Sequence, residues 1–527
     1  MNKIILTIGL ICLFIVSALS PIVFGYKINI SNESPFTLSR SNTLYVGGSG
    51  PGNYTKIQDA IDNASNDDTI YVYNGTYPHN VWIDKSISLV GENKNNTIIE
   101  GGWLTLVTID TDDVIVTGFT VRDCGFYYSG GIHICGKSSN VTIIGNNLSN
   151  NIICGISISG DNNYILNNTL KDNYNGIKLA GNNNTIAGNV IESNNRTGIY
   201  YVWIRSIGKS YDPIYQNNII KENIIINNAE GIYVERSNNS LIYNNLIANN
   251  RWTGVYAPDN DPGDEYYPYK NNTKIENNTI INNGYGIIFF DSNRTTITDN
   301  IIALNNRSIS LYDCNKTLIY HNNIVNNLKP PKDENGHCDN YKNQWDNGYP
   351  SGGNYWSDYN ESDNYSGPNQ DIPGEDGIGD ISYNISGNAN SQDRYPLMEP
   401  WNNSPPNSPF INGPTNGKVG IDYNYTFIST DPDEDDIWYY ISWGDKEIIY
   451  IYGPYSSGET ITLSYNWSNK GNYIIQCKAM DENYLESDWT EFEVTMPRNR
   501  AIMNTPFLNF LESHPILYQL LQRFLRL

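Results

Sequence analysis

A Gly-Ile step, or a near equivalent, returns along this chain at Gly131, Gly155, Gly176, Gly198, Gly231, Gly254 and Gly286, with Ser308-Ile309 as a degenerate last copy. The step from Gly176 to Gly198 is 22 residues, while those from Gly198 to Gly231 and from Gly254 to Gly286 are 33 and 32. Each copy follows an Asn-rich turn and leads an alternating apolar strand. A second Asn-rich turn then carries Thr and Ile. A period near 22, with strands too short for helices, describes one coil of a parallel β-solenoid. Ile177 and Leu179 point one way and Lys178 the other, so one coil exposes an apolar face that only a neighbouring coil can bury. Parallel strands joined by crossovers favour a right-handed winding. The expected fold is all-β, a right-handed parallel β-helix.

The turn asparagines recur at matching places, read here as Asn146, Asn167, Asn189, Asn223, Asn244, Asn277, Asn300 and Asn322. Asn tolerates the left-handed backbone of a turn, and its amide can bond the equivalent Asn one coil away. A structural role therefore accounts for them better than a binding role.

The 527 residues allow two domains. Met1-Asn2-Lys3, an apolar run from Ile4 to Leu19 and small residues before Gly25 form a secretory signal over residues 1–25, with an uncleaved anchor as the competing reading. The expected location is secreted or on the outer cell surface. A net charge of −23 argues against nucleic acid, which needs clustered Lys and Arg. Of seven Cys, Cys12 leaves with the signal. Cys124 and Cys154 occupy comparable turns of successive coils and are the preferred disulfide. Cys314 with Cys338 is a second pair, and buried thiols are the alternative. Sequons such as Asn74, Asn140, Asn183, Asn293 and Asn424 suit a glycoprotein.

The β-helix is assigned to residues 43–327, opened by a short amphipathic helix near Tyr54–Ala64 that caps the core. A Gly-, Asn- and Trp-rich exit region spans 328–401, and a Pro-rich linker 402–409. Residues 410–496 then carry longer alternating strands, expected to form an Ig-like β-sandwich. The tail, 497–527, is amphipathic through Leu517, Leu520, Leu521, Phe524 and Leu525, and suits docking on a membrane or the cell envelope better than spanning a bilayer.

Leu44-Tyr45-Val46-Gly47-Gly48, Tyr54-Thr55-Lys56-Ile57-Gln58-Asp59-Ala60-Ile61 and Val72-Tyr73-Asn74-Gly75-Thr76-Tyr77 resemble the start of NosD-type β-helix proteins. Trp345-Asp346-Asn347-Gly348-Tyr349-Pro350-Ser351-Gly352-Gly353-Asn354-Tyr355-Trp356-Ser357-Asp358 resembles that family's C-terminal boundary. Asp431-Pro432-Asp433 followed by Trp443-Gly444-Asp445 resembles a polycystic-kidney-disease-type (PKD) Ig domain, and the tail is similar to terminal segments of archaeal surface proteins that combine the two. The resemblance implies carbohydrate binding or sugar hydrolysis for the helix and, in the namesake branch, copper delivery. Copper sites want Met, Cys or His clusters, whereas five His and five Met are scattered here.

Two long repeats localise a candidate site. Their extra residues, Trp203–Ile214 and Pro258–Lys270, leave the stack at the same corner, where insertions on a solenoid build binding surfaces. Tyr200, Tyr233 and Tyr256 take the outward position after Gly-Ile, with Glu235 and Trp252 beside them. The loops add Trp203, Arg205, Asp259, Asp261 and Asp264. Aromatic rings with carboxylates and Arg suit a polysaccharide or surface glycan, and a tyrosine ladder that only stabilises strands is the alternative. The expected function is a carbohydrate-binding or adhesive module. A polysaccharide lyase or glycoside hydrolase using Glu235, Asp259 or Asp261 comes second, and a structural spacer third. Two acidic turns offer oxygens for Ca²⁺, Asp371 with Asp376 and Asp380, and Asp431 with Asp433 and Asp435.

Overall fold

The structure, a computed structural model, describes residues 42–102, 104–125, 130–201, 215–235, 237–258, 272–334, 342–446, 448–496 and 513–514. Residues 26–402 and the chain from Asn403 form separate compact units. No helix of the described residues is long and apolar enough to cross a membrane.

The first unit is a parallel β-solenoid, as the repeat dictates. Three parallel sheets of 12, 11 and 12 strands run the length of the stack. One coil contributes Thr185–Ala187 to the first sheet, Val190–Glu192 to the third and Thr197–Tyr201 to the second. Each pairs with its counterpart in the next coil: Ile186 with Ile220, Ile191 with Ile225 and Ile199 with Ile232. These residues are fully buried in one continuous core. The expected cap is a helix over Ile57–Asn63 that buries Ile57, Ala60 and Ile61. Its Gln58 exchanges hydrogen bonds with both backbone groups of Trp82 on the terminal strand of the 11-stranded sheet, closing an edge that could otherwise pair with another chain.

The Gly of the repeat is required by packing. A Cβ at Gly231 would lie 2.8 Å from Ile247 Cγ2 and overlap the Gly254 carbonyl of the next coil. The repeat therefore admits no side chain where neighbouring coils approach most closely.

Two buried asparagine ladders hold two of the corners. One runs Asn146, Asn168, Asn189, Asn223, Asn245, Asn278, Asn300, Asn322 and Asn354, each Oδ1 accepting from the preceding rung, as Asn223 Nδ2 to Asn245 Oδ1 at 3.0 Å. Three of the expected rungs lie one residue away from the observed ones. Asn167, Asn244 and Asn277 are not rungs but the left-handed residues just before them, with φ of 54°, 54° and 50°. The backbone reversal at each swings the next side chain inward, so the rung is one residue later. A third corner begins as the same ladder, with Asn163, Asn184 and Asn218.

The exit region is the C-terminal cap. Asp393 takes the place of the next rung: its carboxylate accepts from the Asn354 amide at 2.7 Å and the Trp356 indole at 2.9 Å. Burial pushes its pKa up to about 7 against those donors. Gly353 follows from this, because a Cβ there would overlap the Asp393 carboxylate. Buried Asp346 takes both prongs of Arg394, at 2.6 and 2.9 Å. Trp401 donates its indole to Asp299 at 2.8 Å and stacks on His321. The boundary motif is thus a cap, and its Trp and Asp side chains are committed to closing the core.

The expected Cys124–Cys154 disulfide is absent. Cys154 carries a free thiol, and burial pushes its pKa up to about 12. The Cys124 thiol instead points to the Leu104 carbonyl at 3.3 Å, while Cys154 Sγ packs against Gly130. The two positions are out of register: the Cys124 amide donates to Asn151 Oδ1, whereas Cys154 pairs with Asn175 on the neighbouring strand. Cys314 donates to the Phe289 carbonyl at 3.4 Å, and Cys338 lies outside the described residues.

The second unit holds an antiparallel sandwich. Phe410–Asn412, Tyr423–Ile428 and Ile461–Tyr465 form one sheet; Ile437–Ser442, Ile449–Tyr455, Gly471–Met480 and Thr490–Met496 form the other. Tyr425, Phe427, Trp443 and Trp467 fill the space between them. The alternating runs expected over residues 410–496 appear as strands, among them Tyr423–Ile428, Ile437–Ser442, Ile461–Tyr465 and Gly471–Met480.

Candidate functional site

Tyr200, Tyr233 and Tyr256 do share one register position on the outward face of the 11-stranded sheet, continuing a column from Lys178 to Ile288. The period-2 strand puts them outward, while Ile199, Ile232 and Val255 next to them are buried. All three phenols are half-buried.

The rings do not stack as a flat platform. Tyr200 and Tyr233 meet edge to face with centroids 4.9 Å apart and planes at 79°, and Tyr233 and Tyr256 do so at 5.2 Å and 86°. Tyr256 continues to Phe290 at 6.3 Å, and Phe290 then stacks on Tyr312 at 4.6 Å. Rings held one coil apart by the strand spacing turn the positive edge of one toward the negative face of the next.

Charge gathers beside the column. Burial, then the Glu235 carboxylate, raises the pKa of Tyr200 and of Tyr233. Glu230 is buried next to it and accepts from Thr197 Oγ1 at 2.8 Å. Arg196 is desolvated, yet its bond to Tyr174 and the charge of Glu230 keep its pKa above the usual guanidinium value. The adjoining corner carries Tyr174, Arg196, Ala229 and Trp252 on successive coils, joined through their backbones. Trp252 is 48% exposed, and the Arg251 guanidinium lies 4.6 Å from its ring centre. Neither Glu230 nor Arg196 is among the site residues expected from the sequence. Both sit just before a Gly-Ile step, a signal that was available.

Trp203, Arg205, Asp259, Asp261 and Asp264 lie outside the described residues. Of the catalytic candidates only Glu235 is described, half-buried next to Tyr233.

Among the described residues no three His, Cys, Asp or Glu side chains form a group able to hold a metal. In the first acidic turn the oxygens are already used: Asp376 accepts from the Ile378 amide at 3.1 Å, and Asp380 from those of Asn364 and Tyr365 at 3.0 Å. Asp371 is exposed. The second turn differs. Asp431 Oδ1 accepts from the amides of Asp433 and Asp435, whereas Oδ2 has no partner in a residue only 5% exposed. Burial, then Glu482 and Asp431, pushes Asp435 up to about 6, and burial pushes Asp481 up to about 7.

The family described as "Periplasmic copper-binding protein (NosD)" matches residues 61–267 and 259–361. Among curated proteins, none is similar in sequence to this chain. A PKD domain of an M14-like peptidase from Thermoplasmatales archaeon SCGC AB-540-F20 is 50% identical over 18% of this chain and 99% of its own, with a TM-score of 0.18. DFA-IIIase from Arthrobacter chlorophenolicus A6, in complex with DFA-III, is 12% identical over 55% of this chain and 84% of its own, with a TM-score of 0.40. An alginate lyase from Paenibacillus sp. str. FPU-7 is 14% identical over 59% and 97%, with a TM-score of 0.26.

The copper in the family's description does not fit these side chains. His321 is held between Trp401 and the Ser351 carbonyl, 2.7 Å from its Nε2. Burial and Asp110 push the Cys135 thiol up to about 11, away from the thiolate a soft metal needs. Burial lowers the pKa of His133, which lies on the 11-stranded sheet opposite Thr108 and Ser157, far along the stack from His321.

Proposed function

The chain belongs to the NosD family, and from that premise we propose that it is a secreted or periplasmic carbohydrate-binding module in which the tyrosine column and Trp252 receive a glycan. The observation that carries this reading is the row Tyr200, Tyr233 and Tyr256, half-buried and outward on three successive coils, with Glu235 and Arg196 beside it. Sugar rings offer apolar CH faces to aromatics and hydroxyls to carboxylates and guanidinium groups. A ladder that served only to stabilise strands would not need these charged groups or the exposed indole next to it.

A glycan array with the full chain tests the reading. Binding that Tyr233→Ala abolishes, at unchanged melting temperature, supports it. Loss of stability with no glycan bound by the wild type would leave the column a strand-stabilising device. Reducing ends or new ultraviolet absorbance from a bound polymer would promote the enzymatic reading on the same face, with Glu235 as the described carboxylate.

Calcium enters the proposal at the second acidic turn through the unpartnered Asp431 Oδ2, with backbone carbonyls and water supplying the remaining oxygens, because no three described acidic side chains converge there. The tail is proposed to associate with the cell envelope.

A further inference from the structure

The column that carries Tyr200, Tyr233 and Tyr256 does not begin with tyrosine. Toward the N-terminal end of the solenoid the same outward position holds His133, Ser157 and Lys178 on three successive coils, and Lys178 pairs in register with Tyr200. Ser157 and Lys178 are half-buried there, one strand spacing apart, about 5 Å along the axis. A hydroxyl and an ammonium, both hydrogen-bond donors, thus stand side by side next to the aromatic row.

Lys178 differs from the other lysines of the solenoid strands. Lys171, Lys221, Lys274 and Lys332 each pair with a glutamate. Among the described residues Lys178 has no such partner, although the chain holds 56 acidic side chains against 33 basic ones. The nearby carboxylate is already committed: Asp110 pairs with Lys137 at 3.0 Å and bonds the Cys135 thiol. The Lys178 charge reaches along the column. Burial lowers the His133 pKa, a bond to the Ser157 backbone opposes this, and Lys178 lowers it further.

An ammonium on a face from which water is partly excluded gains most from an anion that brings its own acceptor oxygens. With a glycan on the tyrosine row, the group that reaches Lys178 is a substituent carried about one strand spacing beyond Tyr200. A carboxylate or a sulfate there accepts from both Lys178 Nζ and Ser157 Oγ. A sugar hydroxyl leaves the ammonium without a counter-charge.

Resting on the carbohydrate reading above, we infer that the ligand is an acidic polysaccharide and that Lys178 and Ser157 bind its carboxylate or sulfate group. The test is titration calorimetry of the full chain, at about 0.15 M salt so that distant charges are screened. The probes are hexasaccharides of alginate, which carries carboxylates, of carrageenan, which carries sulfates, and of cellulose, which carries neither. At least one acidic oligomer is expected to bind about tenfold or more tighter than cellohexaose. Lys178→Gln, which keeps most of the stem and removes the charge, should weaken that binding by about tenfold or more, and Ser157→Ala by about threefold. Lys178→Arg should stay within about threefold of the wild type, and cellohexaose should respond to none of these changes. Both side chains point away from the core, so unchanged melting temperatures separate a lost contact from lost folding. Acidic oligomers that bind no tighter than cellohexaose, or a Lys178→Gln variant that binds them as well as the wild type, overturn the inference. The carbohydrate reading then stands on any cellohexaose or array glycan that binds, and it falls too only when no glycan binds at all.

Discussion

Asn245→Ala paired with Asn244→Gly is the sharpest test of what holds the coils together. The two residues are adjacent and alike in sequence, yet only one is a rung. Asn245 Nδ2 donates to the carbonyls of Ile220 and Tyr243 and to Asn278 Oδ1, all at 2.9 Å, while its Oδ1 accepts from both nitrogens of Asn223 at 3.0 Å. Truncation leaves the Asn223 amide and the Ile220 carbonyl without these partners in an interior closed to water. At about 1–3 kcal/mol for each such group, the cost is about 2–6 kcal/mol. Asn244 has φ of 54° and gives up only a surface bond from Asn277 when replaced. Glycine adopts that conformation freely, so Asn244→Gly should stay within about 0.5 kcal/mol of the wild type. Urea unfolding of the full chain, followed by far-ultraviolet circular dichroism and read as a shift in midpoint at constant slope for the solenoid transition, measures both. Two variants that unfold within about 1 kcal/mol of each other would refute the ladder argument.

Two further outcomes follow from buried carboxylates. Asp393 has a folded pKa of about 7, against about 4 in an unfolded chain. Its contribution is fully present below about pH 4 and is lost as pH rises to about 7, because the unfolded chain releases a proton that the folded one keeps. The stability of wild type relative to Asp393→Asn should therefore fall by about 3 kcal/mol from pH 5 to pH 8, and parallel profiles would show that the group does not titrate as buried. At the sandwich, millimolar Ca²⁺ should raise the melting temperature at pH 7.5, by about 2.7 kcal/mol of stability at a hundredfold excess over Kd, and Asp431→Asn should remove the gain. Equal melting in calcium and chelator would end the calcium proposal.

The division between what the sequence determines and what the tertiary structure decides runs along a clear physical line. Periodicity carries the solenoid, because a strand that alternates Ile with polar residues and a Gly that excludes Cβ read the same in every coil, and each coil meets only its neighbours. The sandwich strands are legible for the same reason. The ladder is legible in kind but not in register: Asn244 and Asn245 differ only in which one takes the left-handed turn, and that depends on the carbonyls stacked above and below. The tyrosine column could be read as outward, since outwardness is local, but its edge-to-face geometry arises from ring contacts between coils that the sequence separates by 33 and 23 residues, from Tyr200 to Tyr233 and on to Tyr256. The expected disulfide is not formed for a related reason: Cys124 falls level with Asn151, while Cys154 opens the strand three residues later, so the two are out of register. Asp393 was not legible at all. Nothing in its local sequence announces that it will complete a ladder begun about 250 residues earlier at Asn146, because that role exists only once the cap has folded back onto the last coil.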